Sequence, residues 1–410
     1  MTPIYIPASH GNQAGRHPGG VRRRLGHRGG LLIVFEKCRE GGGAVRTKKA
    51  EATSVEEEMS MAVEFSVESL RKDLIDVLTR YRVPREDAEP AADIYVRAEL
   101  TGHGSHGVMR FLRIIEGIRT GTHCPGGRPR LVRTGPGTAR IDGRRALGVP
   151  TAVFAMRTAI DLAGETGIGA VTVRDTHHFG MAGYYPAMAA RHGMLGLALC
   201  NTQPAITPPG GKGRVLGTNP ISIAAPTRGE PLVLDMSVAA VSRGQVLEAA
   251  RRGESLPAGV ALDEGGRPTT DPTRALTGSL RPFGGDAAHK AFGLALMIDI
   301  LSGVLAGAAF GDRVTGTAET SRPCTKGDFF AALDVSRFRD MEEFLDDVEE
   351  LSGIVKRSGS NVCLPGEIER DRLNAARGRV VLDDDLAASL REAVRAAGGE
   401  GGPSSGRRWG

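Results

Sequence analysis

The chain has 410 residues, of which 40% are hydrophobic, 25% charged and 4% aromatic, enough apolar content to build a true core in one large or two ordinary domains and to exclude a fibrous or wholly disordered protein. The net charge is +5, yet residues 1–60 hold ten Lys and Arg against six acids, so the remainder is almost neutral and offers no broad field for a polyanion. Glycine occupies 57 positions, which implies many turns and close backbone approaches.

Residues 1–62 read as a disordered basic tail, because "GGVRRRLGHRGG" has no apolar period. The run "LLIVF" at 31–35 passes straight into Glu36 and Lys37 and is too short for a secretory signal. An Arg-rich transit peptide and translation from Met59 or Met61 are alternative readings of this tail, as is a nucleic-acid contact by its basic residues. Cys38, Cys124, Cys200, Cys324 and Cys363 lie far apart without a C-x-x-C pair, which predicts reduced thiols in a cytoplasmic protein. No run approaches the roughly 18 uninterrupted apolar residues of a membrane span.

Ser66 is a candidate cap for a helix over 67–81, where Leu70, Leu74, Val77, Leu78 and Tyr81 recur at helical spacing before Pro84. Helices follow at 91–100 and 108–118. Residues 150–167 and 182–193 also read as helices, and 167–175, 194–201, 220–226 and 231–236 as short buried strands. A long apolar helix is expected at 290–311, a strand at 328–335, a charged helix at 340–359 and a closing helix near 384–396.

Between the second and third helices, Gly102, Gly104 and Gly107 fit the dinucleotide pattern G-x-G-x-x-G. That motif requires a strand before the first glycine and an acid about 20 residues later. The preceding "PAADIYVRAEL" reads as helix and the following "CPGGRPR" has no acid, so the Rossmann reading is rejected. A helix starting near His106 instead places Arg110 one turn on, where a guanidinium, the Ser105 hydroxyl and free first-turn N–H groups can clamp a carboxylate. His106 can exchange a proton near neutral pH. A capped helix with a solvated Arg is the plain structural alternative. His177 and His178 follow a predicted strand, where loops hold chemistry. Glu99, His103 and His106 do not have a standard zinc spacing, and no metal site is expected; a hydrolase using metal on His103, His106 and His177 is the rival from another class.

The stretches "SHGVMRF", "HHFGMAGYY", "NTQPAITPPGGKGRVLGTNPISIAAPT", "LVLDMS", "LPAGVALDEGGRPTTDP", "HKAFGLALMIDILSGVLAGAAFG", "TKGDFFAAL" and "LPGEIER" occur in the order found in the malate/L-lactate dehydrogenase type 2 family. The chain resembles that family from about residue 64 to 397, most closely its L-sulfolactate/malate branch. The resemblance implies an α/β, non-Rossmann L-sulfolactate dehydrogenase-like fold: a mixed-sheet NAD(P)-binding domain at 146–324 and a helical substrate and dimerisation domain made of 63–145 with 325–398, ending in a flexible tail at 399–410. It implies a homodimer that uses NAD or NADP to interconvert a small 2-hydroxy acid, (S)-malate or L-sulfolactate, and its 2-oxo acid. Ureidoglycolate, lactate, diketogulonate or a cyclic imine acid are the substrates of other branches. By the match His178 exchanges the proton of the substrate oxygen, with His106 beside it, and Ser105 and Arg110 line the substrate pocket. Thr202, Met236, Ser237, Val238, His289, Lys290, Gly366 and Glu367 lie against the cofactor. Three positions depart from the family pattern: Gln245 where relatives carry Lys, Ile114 at a common Tyr position, and Ala291 for a Gly. The first removes a charge expected near the cofactor.

Overall fold

The computed structural model describes residues 62–316 and 321–398. The expected tails at 1–61 and 399–410 lie outside the described residues. β1 (Val63–Ser66) leads into α1 (Val67–Arg80), where the Ser66 hydroxyl accepts the Ser69 N–H at 3.0 Å and Leu70, Leu74, Ile75, Val77 and Leu78 form the buried stripe. α2 (Arg85–Leu100) starts six residues before the expected 91, with Glu86 and Asp87 in its first turn and Pro90 inside it. Pro90 reads as a break because it removes one ladder donor, but the buried face of Ala88, Ala91, Ala92 and Tyr95 carries the helix through it. α3 (Val108–Thr120) stops at Gly121, whose φ of 79° is left-handed.

The chain continues through β2 (Arg130–Gly135), β3 (Thr138–Asp142), α4 (Gly148–Thr166), β4 (Ile168–Arg174), α5 (Tyr184–Ala190), β5 (Met194–Cys200), β6 (Ile221–Ala225) and β7 (Leu232–Met236). Next come α6 (Arg243–Arg252), β8 (Ala261–Leu262), β9 (Pro268–Thr269), α7 (Pro272–Thr277), β10 (Ser279–Leu280) and α8 (Ala288–Asp299). The described chain closes with β11 (Asp328–Asp334), α9 (Met341–Arg357), α10 (Glu367–Ala375), β12 (Arg379–Leu382) and α11 (Asp384–Gly398).

A seven-stranded sheet has the order β2-β3-β4-β11-β5-β6-β7. Every neighbouring pair is antiparallel except β3 with β4. This is the expected α/β fold with a mixed sheet, and not the parallel sheet of a Rossmann domain. Its strands come from both expected portions of the chain, since β11 inserts between β4 and β5, with Phe330 opposite Val171 on one side and Ala198 on the other. One core joins α1–α3 to α4, β4 and β5, and a second gathers around Ile206, Val238, Val246 and Ile298.

The expected helix at 290–311 is shorter and bent. α8 gives way to a π-helical turn at Ile300–Val304, and Asp299 leaves the helical surface to accept bonds from Asn201 Nδ2 (2.7 Å) and the Gly311 N–H (3.2 Å). A helical period cannot show this, because the residues that stop the helix act from distant strands and loops.

α4 lies so close to β4 that a Cβ on Gly169 would sit 2.0 Å from the Ala159 carbonyl and 2.8 Å from the Ala163 nitrogen. Gly169→Ala is therefore expected to lower unfolding stability by about 1–3 kcal/mol, as overpacking does. The control is Gly164→Ala on the same helix, where nothing lies within 4 Å. Denaturant unfolding of both variants should show the loss only at Gly169.

Candidate active site

The glycine motif joins two helices. α2 ends at Leu100, a 3₁₀ turn spans Gly104–His106, and α3 begins at Val108, where the helical period resumes in the sequence. Glu99, read earlier as a weak metal candidate, folds its carboxylate under this turn and accepts the Val108 N–H at 2.7 Å. A Cβ on Gly107 would lie 2.1 Å from Glu99 Oε1, and one on Gly104 would lie 3.3 Å from Oε2. Gly102 has φ +81°. These glycines thus make room for a carboxylate from the preceding helix and for one left-handed residue. One N–H that could have met a substrate anion is already taken by Glu99. Burial drives the Glu99 pKa up to about 7, against the pull of the Val108 N–H.

On this turn Ser105 Oγ lies 3.0 Å from His106 Nδ1, and the His106 ring lies 5.2 Å from the His178 ring, centroid to centroid. Arg110 stands in the first turn of α3. Its charge is the largest one acting on His178 and on His106, so it lies within electrostatic reach of both imidazoles. Burial, then Arg110 and His103, lowers His106 to about 3. Burial, followed by Arg110, His106, Lys326 and Arg113, holds His178 well below the ordinary 6.5. Burial and then Arg113 bring Arg110 down to about 10. The Gly180 N–H donates to His178 Nδ1 at 3.0 Å, so the neutral ring carries its proton on Nε2.

His177 points elsewhere. It stacks on His123 at 3.5 Å with an interplanar angle of 11°, and both rings are kept neutral by burial. His103 meets Thr101 Oγ1 at 3.1 Å. Among the described residues no group of three or more His, Cys, Asp and Glu gathers at metal-holding distance.

The composition of the site floor was not legible in the sequence. Lys326 and Asp328, both buried, form an ion pair, and the Lys326 ammonium sits 4.6 Å from the Phe179 ring centre, beside His178. Tyr185 donates its hydroxyl proton to the Phe179 carbonyl, which anchors the same loop from below. The only sequence signal was "TKGDFF", which carries both charges into an otherwise apolar strand.

The expected cofactor residues fall into three places. Thr202 and Val238 meet at one node: the Thr218 N–H donates to Thr202 Oγ1 at 3.0 Å, the Val238 N–H to the Thr218 carbonyl at 2.9 Å. Met236 and Ser237 lead into it. Asn219, with φ 31°, ties this node to α8 through the Ala295 carbonyl at 3.0 Å, a link sequence reasoning missed. His289 and Lys290 are exposed in the first turn of α8. Gly366 and Glu367 lie at the other end of β7, where the Val233 N–H bonds the Pro365 carbonyl at 3.1 Å, and Glu367 is engaged by Lys356 and the Leu364 N–H. Gln245, expected to remove a charge near the cofactor, closes a capping box with Ser242 on α6. Ile114 is buried in the helical core, and Ala291 is buried on α8. A separate cleft of about 310 Å³ between Pro90, Pro125, Leu147 and Phe154 contains none of these side chains.

The profile of the malate/L-lactate dehydrogenase family matches residues 65–391. The chain belongs to that family. It is 44% identical over 330 residues to the malate/(S)-sulfolactate dehydrogenase of Methanothermus fervidus, covering 80% of this chain and 96% of the relative. It is 38% identical over 299 residues to the (2R)-3-sulfolactate dehydrogenase (NADP(+)) of Chromohalobacter salexigens, covering 72% and 87%. The solved sulfolactate dehydrogenase of Methanocaldococcus jannaschii superposes with a TM-score of 0.78 at 40% identity, covering 82% of this chain and 98% of that one. The fold is therefore that of the sulfolactate and malate dehydrogenases.

A carboxyl whose pKa is raised on folding stabilises the fold below its unfolded value and loses that contribution as pH rises through about 7. Glu99→Gln keeps an acceptor for Val108 without the charge. It should match the wild type in stability near pH 5 and exceed it above pH 7.5, by at most about 3 kcal/mol. Equal stability differences at both pH values would count against this account.

Proposed function

We propose that the protein is an NAD(P)-dependent 2-hydroxyacid dehydrogenase that interconverts (S)-malate or L-sulfolactate with its 2-oxo acid. The supporting observation is the convergence of Arg110, His106 and His178 on one space. Arg110 fixes the substrate carboxylate in a bidentate grip and so aims the reacting carbon. His178 faces the substrate oxygen with Nε2. In the tautomer that accepts the Gly180 N–H, Nε2–H donates a hydrogen bond to the substrate oxygen; to take the hydroxyl proton in oxidation the ring must carry its own proton on Nδ1 and give up the Gly180 bond, and in reduction the imidazolium returns the Nε2 proton. Burial first and then the surrounding cations hold His178 neutral, and an anionic substrate opposes the cations, so binding moves the ring back toward its ordinary pKa.

The residues at the Thr202 node fit a nicotinamide dinucleotide. Hydroxyls of Thr202, Thr218 and Ser237 line it, a Cβ on Gly217 would strike the Thr202 carbonyl at 2.3 Å, and His289 and Lys290 offer cations for phosphate. Gly366 and Glu367 would bound the far side. When bound, NAD or NADP supplies hydride acceptance and donation; the protein supplies position and the proton.

We further propose a cytoplasmic homodimer acting on small molecules, without a nucleic-acid or membrane partner. Gly285–Val304 is long and apolar enough to cross a membrane by length and composition, but Asp299 within it is buried and doubly bonded to the fold. Met297, Val304 and Leu305 are each at least half exposed, and α9 has no buried residue although Leu351 and Ile354 form an apolar stripe. A second subunit is the cover that suits these faces. Met297→Glu combined with Leu305→Glu should convert the dimer to monomer in sedimentation; an unchanged mass would refute this interface.

His178→Ala should reduce turnover by about 10² or more, the scale of lost acid–base help, while leaving the chain folded. The assay follows nicotinamide absorbance with malate, sulfolactate, lactate and ureidoglycolate and each cofactor. Full activity in the variant would remove His178 from the mechanism.

A further inference from the structure

Two consecutive residues of the loop after β4 touch opposite flanks of one helix. The His178 ring lies 5.2 Å from that of His106, just before α3, and the His177 ring lies 3.5 Å from that of His123, just after α3. We propose that His123 and His177 are positioning residues, whose stacked rings fix the loop that aims His178 at the substrate. This rests on the dehydrogenase reading and deepens it. A loop in touch with one flank of a helix can pivot there; contact at both flanks, about 20 Å apart for 13 residues, removes that freedom.

The chain holds His123 firmly. After Gly121 it turns back, and the Gly117 carbonyl accepts the Thr122 and His123 N–H groups at 3.0 and 3.1 Å and the Thr122 hydroxyl at 3.1 Å. Thr122 Oγ1 also lies 3.0 Å from His123 Nδ1, which fixes the edge of that ring. The ring fits because residue 117 is glycine, where a Cβ would lie 2.0 Å from His123 Nδ1. The next N–H, of Cys124, bonds the Arg145 carbonyl at 2.8 Å and ties the turn to the segment before α4.

His177 is held by its face. Neither ring nitrogen reaches a hydrogen-bond partner, although the Thr122 and Arg145 carbonyls face the ring. The side chain is buried and lies within 11° of parallel to His123. Leaving a buried polar edge unpaired costs stability, which a mere filler of the core would avoid. Burial lowers His123 to about 4, and burial followed by His123 and Lys326 holds His177 well below the ordinary 6.5, so no charge parts the rings at neutral pH. Elsewhere the loop is gripped by its backbone. A Cβ on Gly148 would lie 2.2 and 2.3 Å from the His177 and His178 carbonyl oxygens, and Tyr185 donates to the Phe179 carbonyl. Those contacts set where the loop lies; the stack sets which way residues 177 and 178 turn, one ring to each flank of α3.

The test uses His123→Ala, His123→Phe and His177→Leu in the full chain. His123→Ala should lower kcat about 10²-fold, the scale on which misplacement of a catalytic group acts, while KM for the 2-hydroxy acid moves by less than about threefold because His106 and Arg110 keep their places. His123→Phe keeps a flat ring against His177 and should retain kcat within about threefold. His177→Leu removes two unpaired nitrogens, so it should melt no lower than the wild type and still lose about tenfold in kcat. The Gly180 N–H, bonded to His178 Nδ1, should exchange with solvent faster in His123→Ala and His177→Leu and at the wild-type rate in His123→Phe. The Phe111 N–H, bonded to the Gly107 carbonyl in the first turn of α3, is the control and should not change. If His123→Ala fails to fold, His177→Leu decides the matter. Unchanged kcat in both of these variants, a loss in His123→Phe equal to that in His123→Ala, or a KM that rises by the factor by which kcat falls would overturn the proposal. A wild type inactive on every acid would sink the dehydrogenase reading, and the Gly180 exchange rates would then decide the stack alone.

Discussion

The site depends on one hydrogen bond, from the Val108 N–H to the Glu99 carboxylate. This bond joins the end of α2 to the start of α3 and sets the direction in which Ser105, His106 and Arg110 leave the backbone. The gap it occupies exists because two glycines lack a side chain there. The carboxylate's backbone partner satisfies it without neutralising any arginine.

The second organising feature is the distribution of charge around the two imidazoles. His106 and His178 are neutral because they are buried and because arginines and Lys326 surround them. Asp328 pairs with Lys326 and limits that field from below. The same cations that lie near the two imidazoles also hold them in the neutral form.

Much of this was legible in the sequence, for identifiable reasons. Helices with a cap and an apolar stripe, such as α1, and strands bounded by turn residues, such as β6 and β7, follow from local periodicity. Rejection of the Rossmann motif needed only the helical character of residues 91–100. The roles of Glu99, Asn219, Lys326 and Asp328 were illegible, because each acts on a residue brought near by the fold and no spacing marks it. The two-residue strands β8, β9 and β10 are too short for any period, and the hairpin β2–β3 is too exposed to show an apolar one. The π-helical turn after α8 follows Asp299, which is bonded to a distant asparagine and glycine. Gln245 shows the converse: a residue judged by the charge it lacks turns out to hold a helix end.

The placement of β11 has a consequence for biosynthesis. Strands β4 and β5 are made early, yet both hydrogen-bond to a segment that ends at Asp334. Until the ribosome has released that segment, the middle of the sheet is two open edges and the floor beneath His178 lacks its lysine and aspartate. The nascent chain must carry these edges unpaired for about a third of its synthesis, the setting in which edge-to-edge association competes with folding. Completion of the space around His106 and His178 is thus tied to the last third of the polypeptide, and a truncated product would keep these histidines without Lys326 and Asp328 beneath them.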